Sequence, residues 1–148
     1  IYAELNHFPY VILRYSNVFG PRQYAKGESG VMAIFSELAR RGKQPTIYEK
    51  DATRDYVYVG DVAKANLAVL SHGTGIYNIG TGQETTNQQV FETVSSVFNW
   101  NVVPHYELSR PGELARSVLD TSKAKRELNW TPTVSREEGV KHIYDFKA

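Results

Sequence analysis

The sequence predicts a mixed α/β domain built from few, short strands and short connections. Three observations predict it. Apolar residues at helical spacing alternate with brief runs rich in β-branched and aromatic side chains. Glycine and proline mostly punctuate these segments instead of interrupting them. A chain of 148 residues with 41% hydrophobic content has enough apolar surface for one real core.

Each element has its own signal. Residues 1–7 read as the tail of a helix, ended by Pro9, which disfavours helix in the residue before it. Residues 9–13 follow as a strand that opens into a polar loop carrying Asn17, Gly20, Pro21 and Arg22. Val31, Ile34, Phe35 and Leu38 mark a helix over 31–41, stopped by Gly42. Strands are expected at 46–48 and 56–59, then a helix from Gly60 and Asp61 to Leu70, closed by Gly73 and Gly75. Residues 76–79 form a strand ending in the turn Gly80-Thr81-Gly82. Thr86 and Gln89 make a capping box before an apolar face of Val90, Phe91, Val94 and Val97. A strand over 102–108 is interrupted by Pro104. Asp120 or Thr121 caps a short helix through Leu128, and Ser135-Arg136-Glu137-Glu138 is a second capping box that opens the last helix.

Composition excludes several function classes. The net charge is +1 with cations spread along the chain, so nothing in it favours nucleic acid or a membrane surface. No apolar run approaches the roughly 18 residues of a membrane span. There is no cysteine, hence no disulfide, thiolate or zinc ribbon. His7, His72, His105 and His142 are too scattered for a metal-ligand pair, and no P-loop or nucleophile elbow occurs.

The candidate binding residues each have an ordinary alternative. Arg54 at the mouth of a strand can clamp a diphosphate with its planar fork, or pair with Asp55 at the surface. Arg110-Pro111-Gly112-Glu113 places an arginine for phosphate and a carboxylate for ribose hydroxyls, or is a surface turn of compensating charges. Asn17 can read a phosphate or sugar hydroxyl, or close an Asx-turn. Gly80-Thr81-Gly82 reads best as a turn, because a dinucleotide loop needs a third glycine and a downstream acid.

The order of four motifs carries a family resemblance. Arg14-Tyr15-Ser16-Asn17-Val18-Phe19-Gly20-Pro21-Arg22-Gln23 comes first, then Thr53-Arg54-Asp55-Tyr56-Val57-Tyr58-Val59-Gly60-Asp61-Val62-Ala63. Tyr77-Asn78-Ile79-Gly80-Thr81-Gly82 and Arg110-Pro111-Gly112-Glu113, followed by Asp120-Thr121-Ser122-Lys123-Ala124, complete the set. Together they resemble the NAD-dependent epimerase/dehydratase family of extended short-chain dehydrogenases, and within it most nearly the UDP-sugar 4-epimerases.

The resemblance implies that residues 1–148 are a single substrate-binding, C-terminal portion of a Rossmann-like α/β fold. The glycine-rich NAD loop and the catalytic Tyr-x-x-x-Lys pair would belong to a portion outside this sequence. At least one sheet edge is then expected to be exposed or paired with another chain. By the same resemblance Asn17, Arg54 and Arg110 would hold the substrate diphosphate and Glu113 its ribose. The backbone of Val31 and Met32 would pack on the nucleotide-sugar, Ile47 and Tyr48 would flank the pyrimidine, and Tyr15 and Ser16 would lie near the nicotinamide. Ser117 stands where some relatives carry a bulky Tyr, which leaves room for an N-acetyl group on the sugar.

The implied whole protein is an NAD-dependent UDP-sugar 4-epimerase, a cytoplasmic homodimer, with this chain inactive alone. A 4,6-dehydratase or a UDP-glucuronate decarboxylase of the same family is an alternative. A non-catalytic nucleotide-sugar-binding module is an alternative of another class.

Overall fold

A computed structural model describes residues 2–26, 30–108 and 112–146. Helix α1 (Tyr2–Asn6) precedes strands β1 (Val11–Tyr15) and β2 (Asn17–Phe19). Helix α2 (Val31–Arg40), β3 (Thr46–Tyr48), β4 (Thr53–Arg54) and β5 (Tyr56–Tyr58) follow. Then come α3 (Val59–Ala68), β6 (Gly75–Ile79), β7 (Thr85–Thr86) and α4 (Asn87–Phe98). The chain closes with β8 (His105–Glu107), α5 (Ser122–Leu128) and α6 (Arg136–Asp145).

The strands pair in twos: β1 with β6, β2 with β5 and β3 with β8 in parallel, and β4 with β7 antiparallel. Parallel pairing needs long crossovers, which the helices supply. This is the mixed α/β architecture that the sequence predicts.

The structure corrects several boundaries. The first strand starts at Val11, two residues past Pro9, because proline has no N–H to donate to a ladder. The polar loop after it is in part a strand, β2: Ser16 donates its amide to the Ile79 carbonyl and Asn17 to that of Asp55, so the chain steps from one partner strand to the next. Val59 belongs to α3, which ends at Ala68, two residues short of Leu70. The strand expected over 102–108 keeps only 105–107. Thr121 stands at the N-cap of α5 without a side-chain cap; Asp120 accepts the Ser122 amide instead, at 2.9 Å. The first anticipated capping box holds, with Thr86 and Gln89 exchanging bonds reciprocally; of the second, only half forms, Ser135 accepting the Glu138 amide without a return bond from the Glu138 side chain.

The β2–β5 ribbon divides two cores. Successive side chains of a strand point to opposite faces. Phe19 and Tyr56 enter one cluster, with Met32, Phe35, Ile47, Val90, Phe91, Val94, Trp100 and Val140. Val57 enters the other, with Val62, Ala65, Tyr77, Ile79, Ala124, Leu128 and Trp130. In the first, Phe35, Phe91 and Trp100 form a triangle of rings with centroids 5.5–6.5 Å apart. Gly139 lets α6 press onto the ribbon, since a Cβ there would lie 2.6 Å from the Phe19 ring.

Beside the second cluster, β1 and β6 pair only with each other among the described residues. Each keeps an open edge, as expected. Ile12, Ile76, Leu67 and Leu70 are exposed nearby.

Candidate functional site

The site is assembled where β2, β4 and β5 meet the segment after residue 112. Asn17 pairs in register with Tyr56. Arg54 pairs with Thr85, and Thr53 bridges to Arg116 in parallel. The Thr53 amide donates to the Ala115 carbonyl at 2.9 Å, and the Ser117 amide donates to the Thr53 carbonyl at 3.1 Å. Three short ladders thus bring Asn17, Arg54 and Ser117 into one neighbourhood.

Tyr56 is the buried hub. Burial pushes its phenol up to about 12, offset in part by the Arg54 charge, a hydrogen bond with Asn17 and the Arg136 charge. It therefore stays protonated at neutral pH.

Arg136 is pinned on three sides. It donates to Thr93 Oγ1 at 2.8 Å, Thr85 Oγ1 at 2.9 Å and Glu137 Oε1 at 3.1 Å. Arg54 is half-buried and donates only to the Thr53 carbonyl, at 2.8 Å. Among the described residues no carboxylate pairs with it. The surface pair with Asp55 that the sequence allows does not form. Asp55 is buried and its carboxylate is taken by the Thr81 amide and hydroxyl and the Gly82 amide, at 2.6–3.0 Å. Those bonds also fix Gly80-Thr81-Gly82 as a turn whose Thr81 and Gly82 amides are already used.

The remaining candidates fall around this centre. Glu113 is exposed and half-buried Ser117 lies beyond it; Arg110 lies outside the described residues. Val31 and Met32 open α2, whose N-cap Gly30 offers no side chain and whose first turn holds no acid. First-turn N–H groups without such partners favour an anion. The Met32 and Ile47 side chains are core, so only their backbone is left for a ligand, whereas Tyr48 is exposed. Asn87 holds the Tyr48 and Glu49 carbonyls through its side-chain amide, at 2.9 and 3.1 Å.

Tyr15 and Ser16 sit apart, at the end of β1. The Tyr15 hydroxyl donates to Asn66 at 3.0 Å. The Ser16 hydroxyl is buried and without a partner among the described residues, and a Cβ at Gly80 would stand 3.0 Å from it.

Sequence reasoning missed Tyr56 and Arg136 as neighbours of Arg54. It also missed Glu84, which accepts from Arg116 Nε at 2.7 Å and Nη2 at 2.5 Å and from the Thr53 hydroxyl at 2.7 Å. Only Tyr56 carried a signal, its place inside the second quoted motif. No group of three or more potential metal ligands converges among the described residues, and no described helix is long and apolar enough to cross a membrane.

Known proteins match this geometry and sequence. A family model described as GDP-mannose 4,6 dehydratase matches residues 1–143. A UDP-glucose 4-epimerase of Thermotoga maritima, solved with UDP-glucose, superposes with a TM-score of 0.92 at 43% identity, over 96% of this chain and 47% of its own. A UDP-N-acetylglucosamine 4-epimerase of Methanobrevibacter ruminantium, solved with UDP-N-acetylmuramic acid, superposes with a TM-score of 0.90 at 31% identity, over 96% and 47%. A UDP-glucose 4-epimerase of Mycolicibacterium smegmatis is 37% identical over 134 residues, 88% of this chain and 43% of that protein. The chain spans about half the length of the curated relatives it matches. Likeness of this extent, in sequence and in fold, means that the chain belongs to the NAD-dependent epimerase/dehydratase family of extended short-chain dehydrogenases and matches the C-terminal portion of its relatives.

Proposed function

We propose that this chain is the nucleotide-sugar-binding half of an NAD-dependent UDP-sugar 4-epimerase. One observation carries the reading: half-buried Arg54 has no carboxylate partner among the described residues, while Arg136, near the same phenol, is held by Thr93, Thr85 and Glu137. A guanidinium withdrawn from water calls for an anion, and a diphosphate matches its fork. Arg54 and Arg110 would hold that diphosphate with Asn17, and the open first turn of α2 at Val31 and Met32 would add backbone donors. Glu113 would accept from the ribose hydroxyls. The Tyr48 ring and the Ile47 backbone would flank the pyrimidine, and Ser117 would leave room for an N-acetyl substituent. Gripping the nucleotide while the hexose turns puts remote binding energy at the service of the reacting centre.

NAD, when bound, supplies hydride exchange at the sugar. Ser16, whose buried hydroxyl has no partner among the described residues, would lie beside the nicotinamide, and Tyr15 would border it. The whole protein would be a cytoplasmic homodimer, and this chain alone would bind without turnover. The description of the matching family model favours one second reading, a nucleotide-sugar 4,6-dehydratase.

Calorimetric titration of the chain with UDP and with dTDP tests the proposal. Binding with preference for UDP supports it. Equal or stronger binding of dTDP favours a thymidylyl-sugar enzyme of the same family. No binding to either by the folded chain overturns the assignment of the nucleotide site to these residues.

A further inference from the structure

Residues 112–118 carry two of the proposed ligand contacts, Glu113 and Ser117, yet little main chain holds them. Among the described residues, only the two bonds with Thr53 tie this segment's backbone to the rest of the fold. Glu113, Leu114, Ala115 and Arg116 are all exposed, so burial does not fix them either. A bridge of two bonds at one residue is marginal unless a side chain secures it.

Glu84 supplies that side chain. It lies just before β7, which pairs with β4. One carboxylate oxygen receives both Nε and Nη2 of Arg116, at 2.7 and 2.5 Å. The other receives the Thr53 hydroxyl at 2.7 Å. A single carboxylate therefore joins three segments: the approach to β7, the strand bearing Arg54 and the segment bearing Glu113 and Ser117. The hydrogen bonds from Arg116 and Thr53 hold its pKa down at about 2, so it is charged throughout the neutral range.

We propose that Glu84 is a positioning residue, which through Arg116 and Thr53 clamps the segment bearing Glu113 and Ser117 against the strand bearing Arg54. This rests on the nucleotide-binding reading of those residues. Magnitude separates the role from general stability. The Arg116 side chain is 72% exposed and that of Glu84 29%, and pairs so open to water contribute little to global folding. Their effect is concentrated in the segment that they fasten.

The test compares the unsubstituted chain with Glu84→Ala, Glu113→Ala and the double variant, by amide hydrogen exchange and by UDP titration. In Glu84→Ala the Thr53 and Ser117 amides are expected to exchange about two- to fivefold faster, with Val57 and Val90 unchanged. UDP binding weakens by a similar factor, and adding Glu113→Ala weakens it no further than Glu113→Ala alone, because both changes remove the same contact. The reversed pair Glu84→Arg with Arg116→Glu restores part of both. Unchanged exchange at Thr53 and Ser117 overturns the clamp. Losses in UDP binding that simply add overturn its positioning role. Faster exchange at those two amides in a chain that never binds UDP upholds the clamp and rejects the nucleotide reading beneath it.

Discussion

Two arginines stand beside the same buried phenol in contrasting surroundings. Arg136, at the start of α6, spends its fork on the hydroxyls of Thr85 and Thr93 and on Glu137. It joins α6 to β7 and α4. Arg54, at the end of β4, donates only to the carbonyl of the residue before it. Both lower the pKa of Tyr56, so both send positive charge to one place. In the proposed site this difference would separate the structural arginine from the binding one, by the number of donors already satisfied inside the fold.

The contrast can be broken experimentally, starting where the effect is largest. Arg136→Ala should cost about 1.5–3 kcal/mol in denaturant unfolding, because it strips a charged donor from two buried hydroxyls. A loss under about 0.5 kcal/mol would mean that Arg136 is as idle as Arg54. Arg54→Lys keeps the charge and loses the fork. It should weaken UDP binding several-fold while leaving unfolding within about 0.5 kcal/mol of the unsubstituted chain.

Acid compares the two sides through their carboxylates. Asp61 is buried and accepts from Lys64, the Thr133 amide and hydroxyl, and the Val134 amide. Burial raises its pKa, but these bonds outweigh burial and leave it below the ordinary 3.8. A carboxylate lowered in the folded state stabilises it fully above the ordinary value, and that contribution is lost as pH falls through the folded value. Thermal stability should therefore decline below pH 3.8, and Asp61→Asn should flatten the decline. Glu84, lowered from 4.5 to about 2, acts in the same direction over that interval. Its effect should be the smallest of the set, because its partner is mostly exposed. A Glu84→Gln variant that flattened the acid curve more than Asp61→Asn would contradict that ranking.

The parts of the fold legible in the sequence are those with local causes. Helix α2, strand β3 and the Thr86 capping box were written in apolar spacing, β-branched residues and a four-residue cap pattern. Strand β2 was not, because Asn17, Gly20, Pro21 and Arg22 read as a polar loop, and β4 and β7 were not, because each has only two residues and both are polar. The site divides in the same way. Motif order singled out Arg54 and Asn17, and the fold brings both beside Tyr56. Asp55 beside Arg54 invited a local ion pair, but the Thr81 and Gly82 amides, 26 and 27 residues on, take that carboxylate instead. The Glu84–Arg116 link spans 32 residues and had no sequence signal, since an isolated Glu and Arg are ordinary surface residues.

The most direct measurement is calorimetric titration of UDP into the unsubstituted chain and into Arg54→Ala, with thermal unfolding of both. The substitution is expected to weaken UDP binding roughly 10- to 100-fold, the worth of a charge-assisted bond, while the unfolding temperature shifts by no more than about 2 °C. UDP binding with equal affinity by both, or an unfolding temperature lowered as far as in Arg136→Ala, would contradict it.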